Sequence, residues 1–189
     1  YIAAPVLSSA AVVNGGVKVT WKASTGAELY RVFRKTSGSS WAKLADTTAL
    51  TYTDTTVAAG TTYIYTVRCV DSGGTSYTSS YDSAGKTITY IAAPVLSGAS
   101  LVNGGVKVTW KASTGAVKYR VFRKMSGSSW TNLADSTALT YTDTTAVSGT
   151  TYIYTVRCVN SGGTGYTSWY DSAGKSVTYI AAPVLSGAS

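Results

Sequence analysis

Hydrophobic and polar residues alternate along this chain with a period of two. At 17–21 the apolar residues Val17, Val19 and Trp21 fall on one face and Lys18 and Thr20 on the other. In Leu29–Lys35, Tyr30 and Val32 share a face, while Arg31, Phe33 and Lys35 take the opposite one. At 63–70, Tyr63, Tyr65, Val67 and Cys69 point inward and Ile64, Thr66 and Arg68 outward. Such alternation is that of strands with one buried face. Shorter strands are predicted at 41–46 and 50–54, and a last one around 86–90. Turn-forming groups lie between them: Asn14-Gly15-Gly16, Ser24-Thr25-Gly26, Ser37-Gly38-Ser39 and Ser72-Gly73-Gly74. About seven short strands separated by such turns predict an all-β sandwich.

The pattern then repeats. Pro5, Pro94 and Pro183 are spaced by 89 residues, and the same interval separates Trp21 from Trp110 and Cys69 from Cys158. Roughly 72 of 89 positions are identical between the copies, with no insertion. A period of 89 is too long for a solenoid turn and suits a sandwich domain of about 100 residues. The expected boundaries are 1–89 and 90–178, with 179–189 as the first-strand stub of a third repeat. The chain opens and closes on the phrase YIAAPVLS. It therefore reads as a piece of a longer array, with the stub completed by a neighbouring copy. The joint at 88–94 has no Gly/Ser tract and ends on Pro94, so a stiff, rod-like connection is expected.

A Trp closing the second strand, YRVFR in the third, YTD in the fifth and GTTYIYTVRCV in the sixth resemble the fibronectin type III family. More narrowly, they are similar to the tandem copies in secreted and surface proteins of Gram-positive bacteria. The resemblance covers both repeats. It implies two tandem immunoglobulin-like (fibronectin type III-like) β-sandwiches and an extracellular or cell-surface location. It also implies that Trp21 and Trp110 fill the core, and that the hydroxyls of Tyr63 and Tyr152 bond to upstream backbone as tyrosine corners. Cys69 and Cys158 fall where the family keeps a small buried residue. One departure is Val57-Ala58-Ala59-Gly60, where the family often has Leu and Pro before the corner Tyr. No Arg-Gly-Asp tripeptide occurs.

Composition narrows the chemistry. There is no Gln, and Thr, Ser, Val, Tyr and Gly dominate, which favours strands and turns over helices. No run of about 18 apolar residues suggests a membrane-spanning helix. The net charge is +8, with charged residues only 13% of the chain. That balance fits a soluble surface, or attraction to a polyanion such as a cell-wall polymer or acidic glycan. No Lys/Arg run exceeds two residues, so nucleic acid is not an expected partner. One Cys per repeat allows no disulfide within a domain, and both are expected to be buried thiols.

No His is present, which removes Ser-His-Asp and Cys-His nucleophilic sites and the commonest metal ligand. Only three Asp recur in both copies: Asp46, Asp54 and Asp82, matched by Asp135, Asp143 and Asp171. They sit at strand ends and turns, where side-chain bonding to turn backbone explains them. Asp82-Ser83-Ala84-Gly85 offers one carboxylate, too few for a good Ca²⁺ site. No cofactor, metal or catalytic activity is expected.

The outward face of the third and sixth strands carries the candidate binding residues. They are Arg31, Phe33, Lys35 and Arg68, matched by Arg120, Phe122, Lys124 and Arg157, with Ile64 and Ile153 between them. A Phe flanked by cations can stack a sugar ring or anchor a protein. Equally, long Arg and Lys stems can simply cover the aromatic ring. Trp169 replaces Ser80 and joins the candidates, since a shared core cannot explain a Ser-to-Trp exchange. Two functions follow. One is a spacer or stalk whose partners are neighbouring repeats or copies of itself. The other is an adhesive module whose ligand is a cell-wall polymer, a glycan or a host protein.

Overall fold

The computed structural model describes residues 2–183 and divides the chain into two compact units, Tyr1–Ala92 and Ala93–Ser189. Both are all-β. The first contains β1 (Leu7–Val13), β2 (Gly16–Trp21), β3 (Leu29–Lys35), β4 (Ala42–Thr47), β5 (Thr51–Asp54), β6 (Thr62–Val70) and β7 (Lys86–Thr89). The second contains β8 (Val95–Val102), β9 (Gly105–Lys111), β10 (Lys118–Lys124), β11 (Thr131–Ser136), β12 (Thr140–Asp143), β13 (Thr150–Val159), β14 (Tyr166–Tyr170) and β15 (Lys175–Tyr179).

In the first unit β1-β2-β5 form one antiparallel sheet and β4-β3-β6-β7 the other. The second unit repeats this as β8-β9-β12 facing β11-β10-β13, with β14 and β15 both paired to β13. Strands one, two and five against four, three, six and seven make a fibronectin type III-like sandwich. The turn between β1 and β2 is possible because Gly15 adopts φ of 71°, a region costly for other residues.

The inward phases expected from the alternation are the core. Leu7, Val17, Val19 and Trp21 from the smaller sheet pack against Tyr30, Val32, Tyr63, Tyr65, Val67 and Cys69 from the larger. Trp21 and Trp110 are buried, and the ring of each lies 5.8 and 5.7 Å from Tyr30 and Tyr119 respectively. Cys69 and Cys158 are free and fully buried, and burial pushes the Cys158 thiol pKa up. Both tyrosine corners form without the usual Leu and Pro: the Ala58 N–H donates to the Tyr63 hydroxyl at 2.9 Å, and the Val147 N–H to Tyr152 at 3.3 Å.

Two expectations are revised. Thr66 lies on the outward phase of β6 yet is buried, because its hydroxyl donates to the Asp82 carbonyl at 2.7 Å under a covering loop. Tyr90 closes the first unit: its N–H donates to the Thr61 carbonyl and its carbonyl accepts from the Gly60 N–H. Tyr179 likewise ends β15 and is buried, and the Ala181 N–H donates to the Ser148 hydroxyl at 3.0 Å, so the first residues of the expected stub are held by the second sandwich. Residues 184–189 lie outside the described residues, and so does most of that stub's predicted strand.

Candidate functional site

The outer face of the larger sheet is built from β3, β4 and β6 and from the segment that follows β6. That segment starts as a strand and then departs. The Thr78 N–H donates to the Cys69 carbonyl, whereas the Cys69 N–H is met by the Ser79 hydroxyl at 2.9 Å. A side chain thus replaces the backbone of the partner strand, and residues 79–85 arch over β6. Gly85 at φ of 63° lets the arch return, since a side chain there would strike the Tyr65 carbonyl. Gly174 does the same over Tyr154.

Beneath and beside this arch lies an open groove of about 230 Å³ lined by Phe33, Trp41, Thr66, Arg68, Tyr77 and Tyr81. The second unit carries its counterpart, about 250 Å³, lined by Phe122, Trp130, Thr155, Arg157, Tyr166 and Tyr170. The rings touch one another. Phe33 and Tyr77 lie 6.3 Å apart between centroids, and Trp41 meets Tyr81 edge-on at 6.2 Å. The Arg68 guanidinium sits 3.8 Å from the Tyr77 ring and 5.7 Å from Tyr81, with its Nε donating to the Ser79 carbonyl at 2.6 Å. Arg157 repeats this, 4.0 Å from Tyr166 and bonded to the Ser168 carbonyl. Burial lowers the Arg157 pKa. Lys35 Nζ sits 4.5 Å from the Trp41 ring and Lys124 Nζ 4.7 Å from Trp130, at the rim. No Asp or Glu lines either groove, and among the described residues no carboxylate pairs with Arg68 or Arg157.

The other candidates are placed differently. Arg31 forms a two-point ion pair with Asp46, at 2.7 and 2.8 Å, and also donates to the Gly74 carbonyl. Arg120 holds Asp135 and Gly163 in the same way. These two cations are engaged within the fold. Hydrogen bonds from Arg31 hold the Asp46 carboxyl down at about 2 against the opposing effect of burial. Trp169 stacks on Tyr170 at 5.5 Å and 26°, and Arg157 lies 5.4 Å from its ring, so it neighbours two of the residues that line the second groove without lining it itself. Ile64 and Ile153 lie beneath the returning Gly85 and Gly174.

The recurring Asp residues are more than turn formers. Asp82 does bond its own turn, through the Ala84 N–H. Asp54, however, is fully buried, and accepts from Arg34 Nη1 at 2.6 Å, the Tyr65 hydroxyl at 2.8 Å and both the N–H and hydroxyl of Thr56. Burial by itself would raise its pKa, but these donors outweigh it and keep Asp54 below the usual carboxylate range. Asp143 is held identically by Arg123, Tyr154 and Thr145. Burial and the facing carboxylate push the Tyr65 and Tyr154 phenols well above their ordinary range.

Trp41, Tyr77 and Tyr81 were not among the sequence candidates. Tyr77 and Tyr81 sit in a Ser/Thr/Gly-rich stretch with no alternation, and Trp41, expected to open the strand at 41–46, stands just before β4 and so has no strand phase to assign its face. The available signal was the spacing of Tyr77 and Tyr81, repeated unchanged at Tyr166 and Tyr170.

The chain is thus a pair of fibronectin type III-like sandwiches, each with a cationic aromatic groove on its larger sheet. No protein-family model matches it. It is 32% identical over 178 residues to Exoglucanase B of Cellulomonas fimi, in an alignment covering 84% of this chain and 15% of that enzyme's length. Among solved structures it is similar to the chicken interferon gamma receptor alpha chain, with 12% identity, a TM-score of 0.44, and 93% of this chain and 98% of that one covered. It is also similar to the FN1–FN3 domains of chicken CNTN1, with 15% identity, a TM-score of 0.44, and 95% of this chain and 66% of that one covered. The fold assignment rests on the strand order.

Proposed function

We propose that the chain is a non-catalytic spacer module, repeated to extend an extracellular or surface protein of a Gram-positive bacterium. The observation that carries this reading is the fate of the recurring carboxylates. Asp46 and Asp54, with Asp135 and Asp143, are engaged by Arg, Tyr and Thr within each sandwich, and Asp82 and Asp171 bond their own turns. None stands as a free acid-base pair of the kind glycoside hydrolysis needs. The alignment with a limited part of an exoglucanase supports the same role, a module accompanying other domains. The partners are then neighbouring repeats.

Two measurements test this. The two-repeat chain, incubated with cellulose and soluble glucan, should release no reducing sugar. Small-angle scattering of chains with two, three and four repeats should show the maximum dimension growing by a constant increment per repeat. Sugar release, or a dimension that fails to grow, overturns the reading.

A further inference from the structure

We propose that each groove binds a carboxylate-bearing sugar ring, a uronic-acid unit of an acidic polysaccharide. The site goes beyond the spacer reading, and its loss would leave the scattering and sugar-release results unchanged.

Shape comes first. Each groove is open, and at about 230 and 250 Å³ it is smaller than the roughly 300–1,000 Å³ that encloses a drug-sized ligand. It has room for one ring of a ligand that continues outside. Four aromatic side chains make its walls, and the apolar C–H face of a pyranose packs well against such rings. Thr66 and Thr155 line the floor, but their hydroxyls are already bonded to the Asp82 and Asp171 carbonyls.

Charge then selects among sugars. A neutral pyranose presents donors and acceptors in equal measure around its rim. A carboxylate or amide acceptor would favour the hydroxyl donors of such a ring, and these grooves have neither. They have instead a guanidinium without a carboxylate partner and an ammonium at the rim. A carboxylate on the ring supplies the missing counter-charge in a charge-assisted hydrogen bond, the strong kind. The net charge of +8 attracts an anionic polymer before contact. Beside the second groove Trp169 sets a further ring 5.4 Å from Arg157, where a ligand continuing out of the groove can meet it.

The test is calorimetric titration of the two-repeat chain with trigalacturonate, cellotriose and hexathymidylate. Trigalacturonate should bind saturably and at least ~10-fold more tightly than cellotriose, the factor expected for one charge-assisted contact. Arg68→Gln with Arg157→Gln should remove that preference, while Arg68→Lys with Arg157→Lys should retain part of it. Trp169→Ser should weaken the second site about 2- to 5-fold, as expected for loss of one exposed ring beside a cation. Serine is what the sister repeat carries at that place, so this variant keeps its fold. Four results would each overturn the proposal: no binding of trigalacturonate, equal binding of cellotriose, equal binding of hexathymidylate, or Gln variants that bind unchanged.

Discussion

The two sandwiches share their interior and differ at their rim. The buried ion pair measures 2.6 Å between Arg34 and Asp54 and 2.7 Å between Arg123 and Asp143, and the Tyr hydroxyls meet these carboxylates at 2.8 and 2.7 Å. Around the segment after the sixth strand the copies diverge. In the first unit this segment makes two isolated bridges, antiparallel between Val70 and Tyr77 and parallel between Ile2 and Ser79. In the second it becomes the strand β14, where Trp169 replaces Ser80, with Gly165 replacing Ser76 just before the strand. Trp has the higher strand preference and gains a stacking partner in Tyr170. A nearby loop shows how divergence is tolerated: Asp71 accepts from the Thr75 N–H and hydroxyl, and Asn160 holds the Thr164 N–H in its place. After duplication, then, buried polar contacts stay fixed because their partners cannot be replaced singly. A rim position can change whenever one loop bond is kept.

The sharpest way to break this comparison is to attack the shared interior. Asp54→Ala leaves the Tyr65 hydroxyl without its buried acceptor and Arg34 with only the Thr56 hydroxyl, and should cost about 3–5 kcal/mol. Asp143→Ala should cost the same, and Trp21→Ala a similar ~3–5 kcal/mol through its cavity. Urea unfolding of the two-repeat chain, with the transition of each unit followed separately, measures both. Markedly unequal costs for the two Asp variants would mean that the interiors are not equivalent. Tyr65→Phe and Tyr154→Phe remove one hydrogen bond to a charged group and should each cost about 1.5–3 kcal/mol.

Acid should affect both units with the same sign. Asp46, Asp54, Asp135 and Asp143 all have folded pKa values below the ordinary one, Asp46 at about 2. A depressed carboxyl contributes stability above its unfolded pKa of about 4 and loses it as pH falls toward the folded value. Stability should therefore hold steady from neutral pH down to about 4 and decline from there toward pH 2, as thermal unfolding at stepped pH would show. A rise in stability over that interval would contradict these assignments. The rim differences should be smaller. Lys43 pairs with Asp46 at 2.8 Å, and Asn132 takes its place in the second unit. Lys43→Asn should cost no more than the ~0.2–1 kcal/mol of an exposed pair. Trp169→Ser and Ser80→Trp should move stability by about 0.5 kcal/mol or less, while shifting the tryptophan emission of the unit they touch.

Strand phase was readable from the residues because one buried face forces every second side chain to be apolar. Val17, Val19, Trp21, Tyr30, Val32, Tyr63, Tyr65, Val67 and Cys69 all follow that rule, and the 89-residue period set the number of sandwiches. The outward face was legible only in part. Arg31 and Arg68 share that face and look alike in sequence, yet one holds Asp46 on a neighbouring strand and the other lies among Tyr77 and Tyr81 without a carboxylate, while Arg34, on the inward phase, reaches the buried Asp54. Alternation reports which side of a sheet a residue faces. It says nothing of what arrives on that side from elsewhere in the chain. The arch over Thr66 and the rings of the groove come from an irregular segment with no period to read, so the tertiary structure alone decided them.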